Sequence, residues 1–249
     1  MLKPWFGCFT LLFLNTLYAQ EDCLDFHVIK NAPIGYLTED TEPKGVHWEY
    51  LKAIEDQTGY CINKTLLPYP RIWHSIKMGE HDGGIVFKSS SRSELVEYAA
   101  LIRRVKTVVI PVKGTTIKNY DDLSKIIIGK TRGTHLSEKF DSDKSLKVIE
   151  LNNYQQATQM LKHGRIDAIA GSALVLSFQL KTHDAIKHVD TTNRLVLGEK
   201  EQWLQLSKKS EHLDKIPEIK KAVGILNKNG SFEEIMNKYY GHDWKDLNQ

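Results

Sequence analysis

The chain has 249 residues, with 34 Lys and Arg set against 31 Asp and Glu, for a formal charge of +3. That near balance, with no basic stripe interleaved with aromatics, argues against a nucleic-acid surface. Beyond the first twenty residues no apolar run is long enough to span a bilayer, and the length suits two small lobes or one larger domain.

Residues 1–19 carry an early Lys3, an apolar run over 5–14 and a small residue, Ala19, at the end. This is the layout of a secretory signal peptide, so the mature chain is expected to begin near Gln20 and to lose Cys8. No lipobox surrounds Cys8 or Cys23. In the exported compartment Cys23 and Cys61, each at the entry to a strand-like segment, can bridge if those strands are neighbours; otherwise they are separate buried thiols.

Residues 24–30 (LDFHVIK) read as a first strand, ending in the Pro/Gly loop Asn31-Ala32-Pro33-Ile34-Gly35-Tyr36. Val46, Tyr50, Ala53 and Ile54 recur at helical spacing before Gly59. A second strand over 61–67 leads to Pro68-Tyr69-Pro70, and Pro70 opens a helix whose Ile72, Trp73 and Ile76 face inward before Gly79. With a third strand over 84–87 the order is β-α-β-α-β, the signature of an open, mostly parallel sheet. Residues 88–92 (KSSSR) form a loop at that strand's end, where open α/β sheets bind ligands. The β-branched run 106–112 reads as the strand that leaves the first lobe, with 114–119 as the crossing.

The second unit reads as a strand over 126–128, a helix from about Leu136, strands over 146–151 and 166–170, and helices over 154–163 and 174–180. Strand, Thr131-Arg132-Gly133-Thr134 turn and helix is an order that aims backbone N–H groups at an anion, with Thr134 as a possible N-cap. Asn153 and Gln156 fit a capping box. A short strand over 186–189 and an extended return over 194–206 follow. The tail is two helices, the first with Ile216, Ile219, Val223 and Leu226 inward, the second opening on a Ser231/Glu234 capping box and stopping at Gly241; they return to cover the first lobe.

Several landmarks recur in a fixed order: the Pro33 to Tyr36 loop, Gly45 and Gly59 around the first helix, Gly79-x-x-Asp82-Gly83, Arg92 with Tyr98 six residues on, Arg132-Gly133-Thr134, Gly164-Arg165-Ile166-Asp167-Ala168, and Gly230 with Tyr239-Tyr240-Gly241. In this order the chain resembles the extracytoplasmic (periplasmic) solute-binding proteins of ABC transporters, in the polar amino acid-binding subfamily of bacterial family 3 type. The resemblance implies an α/β, type II periplasmic-binding-protein fold, two lobes joined by two crossing strands. Lobe 1 would be 20–112 plus 195–249, and lobe 2 would be 113–194.

It further implies that Arg92 takes a ligand carboxylate, that donors at Gly133 and Thr134 assist, and that Tyr69 stacks on the ligand. An Arg fork suits a carboxylate; the same residue as a plain loop arginine would pair with Glu94 or Glu97 to little effect. Asn31, Tyr36, Arg71 and Arg132 complete the candidate set, although Arg71 could instead lie along its own helix covering apolar surface. Family members usually carry an aspartate for the ligand's α-ammonium where this chain has Ser172, which favours a ligand of more anionic or neutral character.

The expected function is therefore periplasmic binding of a small carboxylate-bearing solute by hinge closure, for an ABC permease, by a monomer without cofactor or metal. The alternative is a free-standing sensor or delivery module for a signalling receptor. The ten histidines are scattered with no HExxH, and no GxSxG elbow occurs. An enzyme would need a general acid or base in the cleft, where Asp167, His135 and Glu138 are the nearest candidates and their spacing gives no support.

Overall fold

The computed structural model describes residues 22–247, so the expected signal peptide lies outside the described residues. In chain order the elements are β1 (Leu24–Ile29), β2 (Tyr36–Leu37), β3 (Pro43–Lys44), α1 (Val46–Thr58), β4 (Ile62–Leu67), α2 (Tyr69–Met78), β5 (Gly83–Phe87), β6 (Val96–Pro111), β7 (Ile127–Thr131), α3 (Glu138–Ser142), β8 (Lys147–Leu151), α4 (Tyr154–Lys162), β9 (Ala168–Ser172), α5 (Ala173–Thr182), β10 (Leu195–Ser207), α6 (Ile216–Lys228), α7 (Ser231–Tyr240) and α8 (Trp244–Leu247). Short 3-10 turns lie between some of them, including Ser90–Leu95 ahead of β6.

One continuous sheet runs β4-β1-β5-β10-β6-β9-β7-β8. Parallel pairings at the two ends (β1 with β4 and β5, β7 with β8 and β9) need buried crossovers, and β5 and β9 are correspondingly almost wholly buried. In the middle, β6 and β10 pair antiparallel over nearly their full lengths. The half of β6 that includes Glu97 and Tyr98 lies opposite the stretch of β10 that also pairs β5, whereas its far end, Thr107 to Pro111, pairs β9. These two strands carry the chain between two α/β lobes, which is the expected fold class.

The cores follow that division. Phe26, Tyr50, Ile54, Ile85 and Leu204 pack with Val223 and Met236 of α6 and α7, so the tail helices close the first lobe as expected. In the second, Val108 joins Ile169, Leu161 and Leu176 on one face of the sheet, and Val109 joins Ile128, Phe140 and Ala168 on the other. Successive strand residues point to opposite faces, so Val108-Val109 pins both layers. Each such fully buried side chain contributes roughly 1.5–3 kcal/mol.

Several local expectations are corrected. The chain enters the second lobe within β6 rather than through 114–119; charged Glu97, Arg103 and Arg104 break the apolar run that marked only its second half. Residues 186–189 form a 3-10 turn, Ile186–His188, with a single bridge from Val189 to Val112. Helix α3 starts at Glu138 with Ser137 as its cap, accepting from the Phe140 N–H, so Thr134 caps nothing. At α7 no Ser231 capping box forms; Gly230 takes the cap position at φ 86° and the Asn229 side chain accepts the Ser231 N–H instead. Asn153 does cap α4, while Gln156 reaches back to the Asn152 N–H rather than to that of Asn153. Cys23 and Cys61 are bridged: β1 and β4 are neighbours with Leu24 opposite Ile62, which puts the two sulfurs side by side.

Candidate functional site

A cavity of about 340 Å³ opens between the lobes, within the size range of small-ligand pockets. Its first wall comes from the carboxyl ends of lobe 1 strands: Ile29, Lys30 and Asn31 after β1, Pro68, Tyr69 and Pro70 after β4, and Phe87 at the end of β5. Parallel strands leave their loops at that edge, so strand ends rather than strand middles meet the ligand. The opposite wall uses the same logic in lobe 2: Thr131, Arg132, Thr134 and His135 after β7, Asn152 to Tyr154 after β8, and Ser172 at the end of β9. Gln202 of the crossing strand β10, with Ile34 and Val175, closes the bottom.

The candidates divide. Asn31, Tyr69, Arg132, Thr134 and Ser172 line the cavity. Gly133 stands at its mouth in the left-handed conformation, φ 75°, where a β-carbon would meet Tyr69 and Pro70 at 3.8 and 3.9 Å. The two lobes approach each other at this turn, leaving room for about one β-carbon. Arg92, Arg71 and Tyr36 are not among the lining residues. Arg92 lies flat against Trp73, its guanidinium carbon 4.1 Å from the ring centre, and donates to the Tyr69 hydroxyl at 3.2 Å. Its charge also reaches His135 of the lobe 2 wall and Lys200. Arg71 is exposed on α2, and Tyr36 belongs to the small β2-β3 hairpin.

Thr134 does not offer the free donors expected of it. Its N–H and its hydroxyl both donate to the Thr131 carbonyl, at 3.2 and 2.5 Å, and the Thr131 and Thr134 hydroxyls are 2.6 Å apart. The turn satisfies itself, as short Thr side chains commonly do, and α3 starts too far on to add its dipole there. Ser172 is 8 % exposed at the start of α5 without capping it, which leaves its hydroxyl facing the cavity it lines.

The electrostatics are one-sided. Lys30 and Arg132 are the charged lining residues, no Asp or Glu lines the cavity, and among the described residues neither cation has an ion-pair partner. Burial holds the His135 imidazole below its usual range, with Arg92, Lys200 and Lys130 adding to the effect and Asp141 opposing it. Lys200, on β10, donates to the His135 carbonyl at 3.2 Å, and burial likewise lowers its pKa. Asp167 is structural, its carboxylate accepting the Ile127 N–H at 2.8 Å. Glu138 does not line the cavity, and among the described residues no cluster of His, Cys, Asp or Glu could hold a metal.

Sequence reasoning missed Lys30, Phe87, Asn152, Asn153 and Gln202. The strand-end rule that picked Arg92 applies equally to Lys30 and Asn152 and would have found them. Gln202 gave no such signal, because it sits inside a strand. Its side-chain oxygen accepts from Arg103 Nε at 2.6 Å, and Arg103 also donates to the Tyr50 hydroxyl at 3.4 Å and contacts His47 Nε2 at 3.3 Å. Among the described residues no carboxylate pairs with Arg103. Burial keeps His47 neutral, its pKa well below the usual value, and the Arg103 charge pushes the same way.

Two α/β lobes joined by antiparallel crossing strands, with a cleft at the strand ends between them, define the type II periplasmic-binding-protein fold. Residues 27–242 match the bacterial extracellular solute-binding proteins, family 3, and the chain belongs to that family. Over 213 residues it is 25% identical to the ABC transporter arginine-binding protein 1 of Escherichia coli K12, covering 84% of this chain and 86% of the relative. Among solved structures it is similar to the arginine-, lysine-, histidine-binding protein ArtJ of Geobacillus stearothermophilus, with a TM-score of 0.70, 19% identity, and 91% and 99% of the two chains covered. A histidine kinase sensor domain with similarity to periplasmic binding proteins matches at a TM-score of 0.73, 13% identity, and 89% and 97% coverage. At such identities the structural likenesses speak for the fold alone. Among the described residues no helix is long and apolar enough to cross a membrane.

Proposed function

We propose that the protein captures a small carboxylate-bearing solute, an amino acid or related organic acid, between its lobes and retains it by hinge closure. The observation that carries this reading is the cavity itself: both lobes wall it, they approach closely where Gly133 faces Tyr69 and Pro70, and its charged lining residues are cations without a lining carboxylate. On this reading lobe 1 is drawn from 20–112 plus 195–249 and lobe 2 from 113–194, with β6 and β10 as the hinge and the end of β6, Thr107 to Pro111, already packed into lobe 2. Arg132 and Lys30 attract the carboxylate, Tyr69 covers the ligand, and Arg92 joins them either through Tyr69 or by direct reach when the lobes close. Binding needs no covalent step, so the protein acts without cofactor or metal.

Exported to the periplasm by residues 1–19, the closed monomer would present a composite face of both lobes to an ABC permease. Ligand shifts the population toward that form in proportion to its preference for it. A second reading, ligand delivery to or sensing for a signalling receptor, draws on the likeness to a kinase sensor domain. Small-angle scattering with and without the compound that co-purifies tests closure; a radius of gyration that stays constant on binding would sink it. Permease-dependent uptake in a deletion strain separates transport from signalling.

A further inference from the structure

The cavity's polar groups have an orientation that the proposed function leaves open. Arg103 has donors only, so the Gln202 atom it meets at 2.6 Å is the amide oxygen and the amide nitrogen is the group left over. Asn153 is committed in the same sense, since its side-chain oxygen accepts the Gln156 N–H at 2.8 Å to cap α4. Both amides therefore have their nitrogens to spare, alongside the Lys30 and Arg132 cations. An ammonium entering this site would meet two like charges and no carboxylate among the lining residues, and would be desolvated without compensation. A carboxylate would find charge-assisted donors in both lobes.

We infer that the solute is a small organic acid with no ammonium group, best a short dicarboxylate whose ends are taken by Lys30 of lobe 1 and Arg132 of lobe 2. This rests on the reading of the cleft as a solute-binding site. It sets the chain apart from what the names of its arginine-binding relatives would suggest, through its own residues rather than theirs.

Matched pairs of acids that differ only in the amino group provide the test. The mature protein is titrated calorimetrically with glutarate and glutamate, then succinate and aspartate, with butyrate and arginine as controls. Glutarate or succinate should bind at least about tenfold more tightly than its amino counterpart, and arginine least of all. Lys30→Ala and Arg132→Ala, both at exposed positions that leave the cores untouched, should each weaken the dicarboxylate about tenfold or more, and Ser172→Asp should move the preference toward the amino acid. Tighter binding of glutamate or aspartate, or of arginine, overturns the inference and leaves the solute-binding reading standing. Butyrate binding as well as glutarate overturns the two-ended recognition. If none of these acids binds and no small molecule co-purifies, the inference and the binding reading fall together.

Discussion

Replacing Arg103 by Met tests whether the orientation of Gln202 sets what the cleft accepts. Arg103 and Gln202 are directly opposed across β6 and β10, so their side chains share one face of the sheet. A hydrogen bond from a charged donor to a neutral amide contributes about 1.5–3 kcal/mol, and stranding the Gln202 oxygen at 5 % exposure costs about 1–3 kcal/mol. Against this, the substitution removes a half-buried cation with no carboxylate partner among the described residues. The expected net loss of stability is about 1 kcal/mol. Binding is affected separately. An amide free to flip costs only about 0.4 kcal/mol to reorient, whereas one that settles with its oxygen toward a carboxylate forfeits a full hydrogen bond, so a weakening of about tenfold, or 1.4 kcal/mol, is expected. Calorimetric titration with glutarate and glutamate reads the effect, and denaturant melts of the same samples read stability. A merely structural Arg103 would lower both affinities equally. A positioning Arg103 narrows their ratio, and Arg103→Lys, which keeps a donor, restores it. An unchanged ratio in a folded Arg103→Met protein would refute the reasoning.

Three further outcomes follow from the same geometry. The Cys23–Cys61 bridge closes a loop of sequence separation 38; by chain entropy its removal in a Cys23→Ser/Cys61→Ser variant should cost about 4 kcal/mol, and a denaturation midpoint unmoved by the double substitution would contradict that. His27 is buried without a hydrogen-bond partner among the described residues, and burial, aided by the charge of His81, pushes its pKa down to about 3. The folded state thus keeps it neutral while the unfolded chain takes up a proton below its ordinary value, so stability is full above about pH 6.5 and falls about tenfold in folding constant per pH unit down to about 3. His27→Phe should flatten that acid limb, and an equally steep limb would reassign it to other groups. Arg92→Ala, which releases Tyr69, should weaken glutarate about fivefold, less than Arg132→Ala; a loss beyond about a hundredfold, or roughly 2.7 kcal/mol, would place Arg92 on the ligand in the closed form.

The alternation of apolar strands with capped or Gly-stopped helices was enough to read an open α/β sheet, because those signals are local: α1 buries Val46, Tyr50 and Ile54 and stops at Gly59 in the left-handed conformation. Part of the candidate cavity lining was legible for the same reason, since strand ends such as Asn31 and Arg132 can be located from the strands alone. What escaped was which partner each side chain takes, near or far along the chain: Thr131 lies only three residues from Thr134, whereas Trp73 comes to Arg92 from a separate helix. Nothing near Thr134 predicts that Thr131 will absorb its hydroxyl and its N–H, and nothing near Arg92 predicts that Trp73 will take its guanidinium face. The start of α7 shows the opposite failure, a correct local motif in Ser231 and Glu234 displaced by a glycine one position earlier.

Gln202 shows why the least legible residue can matter most. Between Gln202 and Trp203 the register against β6 shifts, so that Gln202 faces Arg103 while Trp203 faces Leu101, with Ile102 as the extra residue. Such a bulge re-aims the side chains on either side of it. Gly198 to Gln202 run in register against Thr107 to Arg103, so Gln202 meets Arg103 at the last pair before the shift, and that contact fixes which amide atom the cavity bottom presents. The bulge lies in the strands that join the lobes, the segment any closing motion must bend. If the proposed closure bends β6 and β10, a ligand held by Gln202, which also pairs Phe87 of β5, would be held where the crossing strands join lobe 1, and a change at Arg103 should alter not only affinity but how far ligand drives the lobes together. Scattering of the Arg103→Met protein at saturating glutarate would then show a smaller contraction than wild type. Equal contraction would separate the hinge from the recognition it carries.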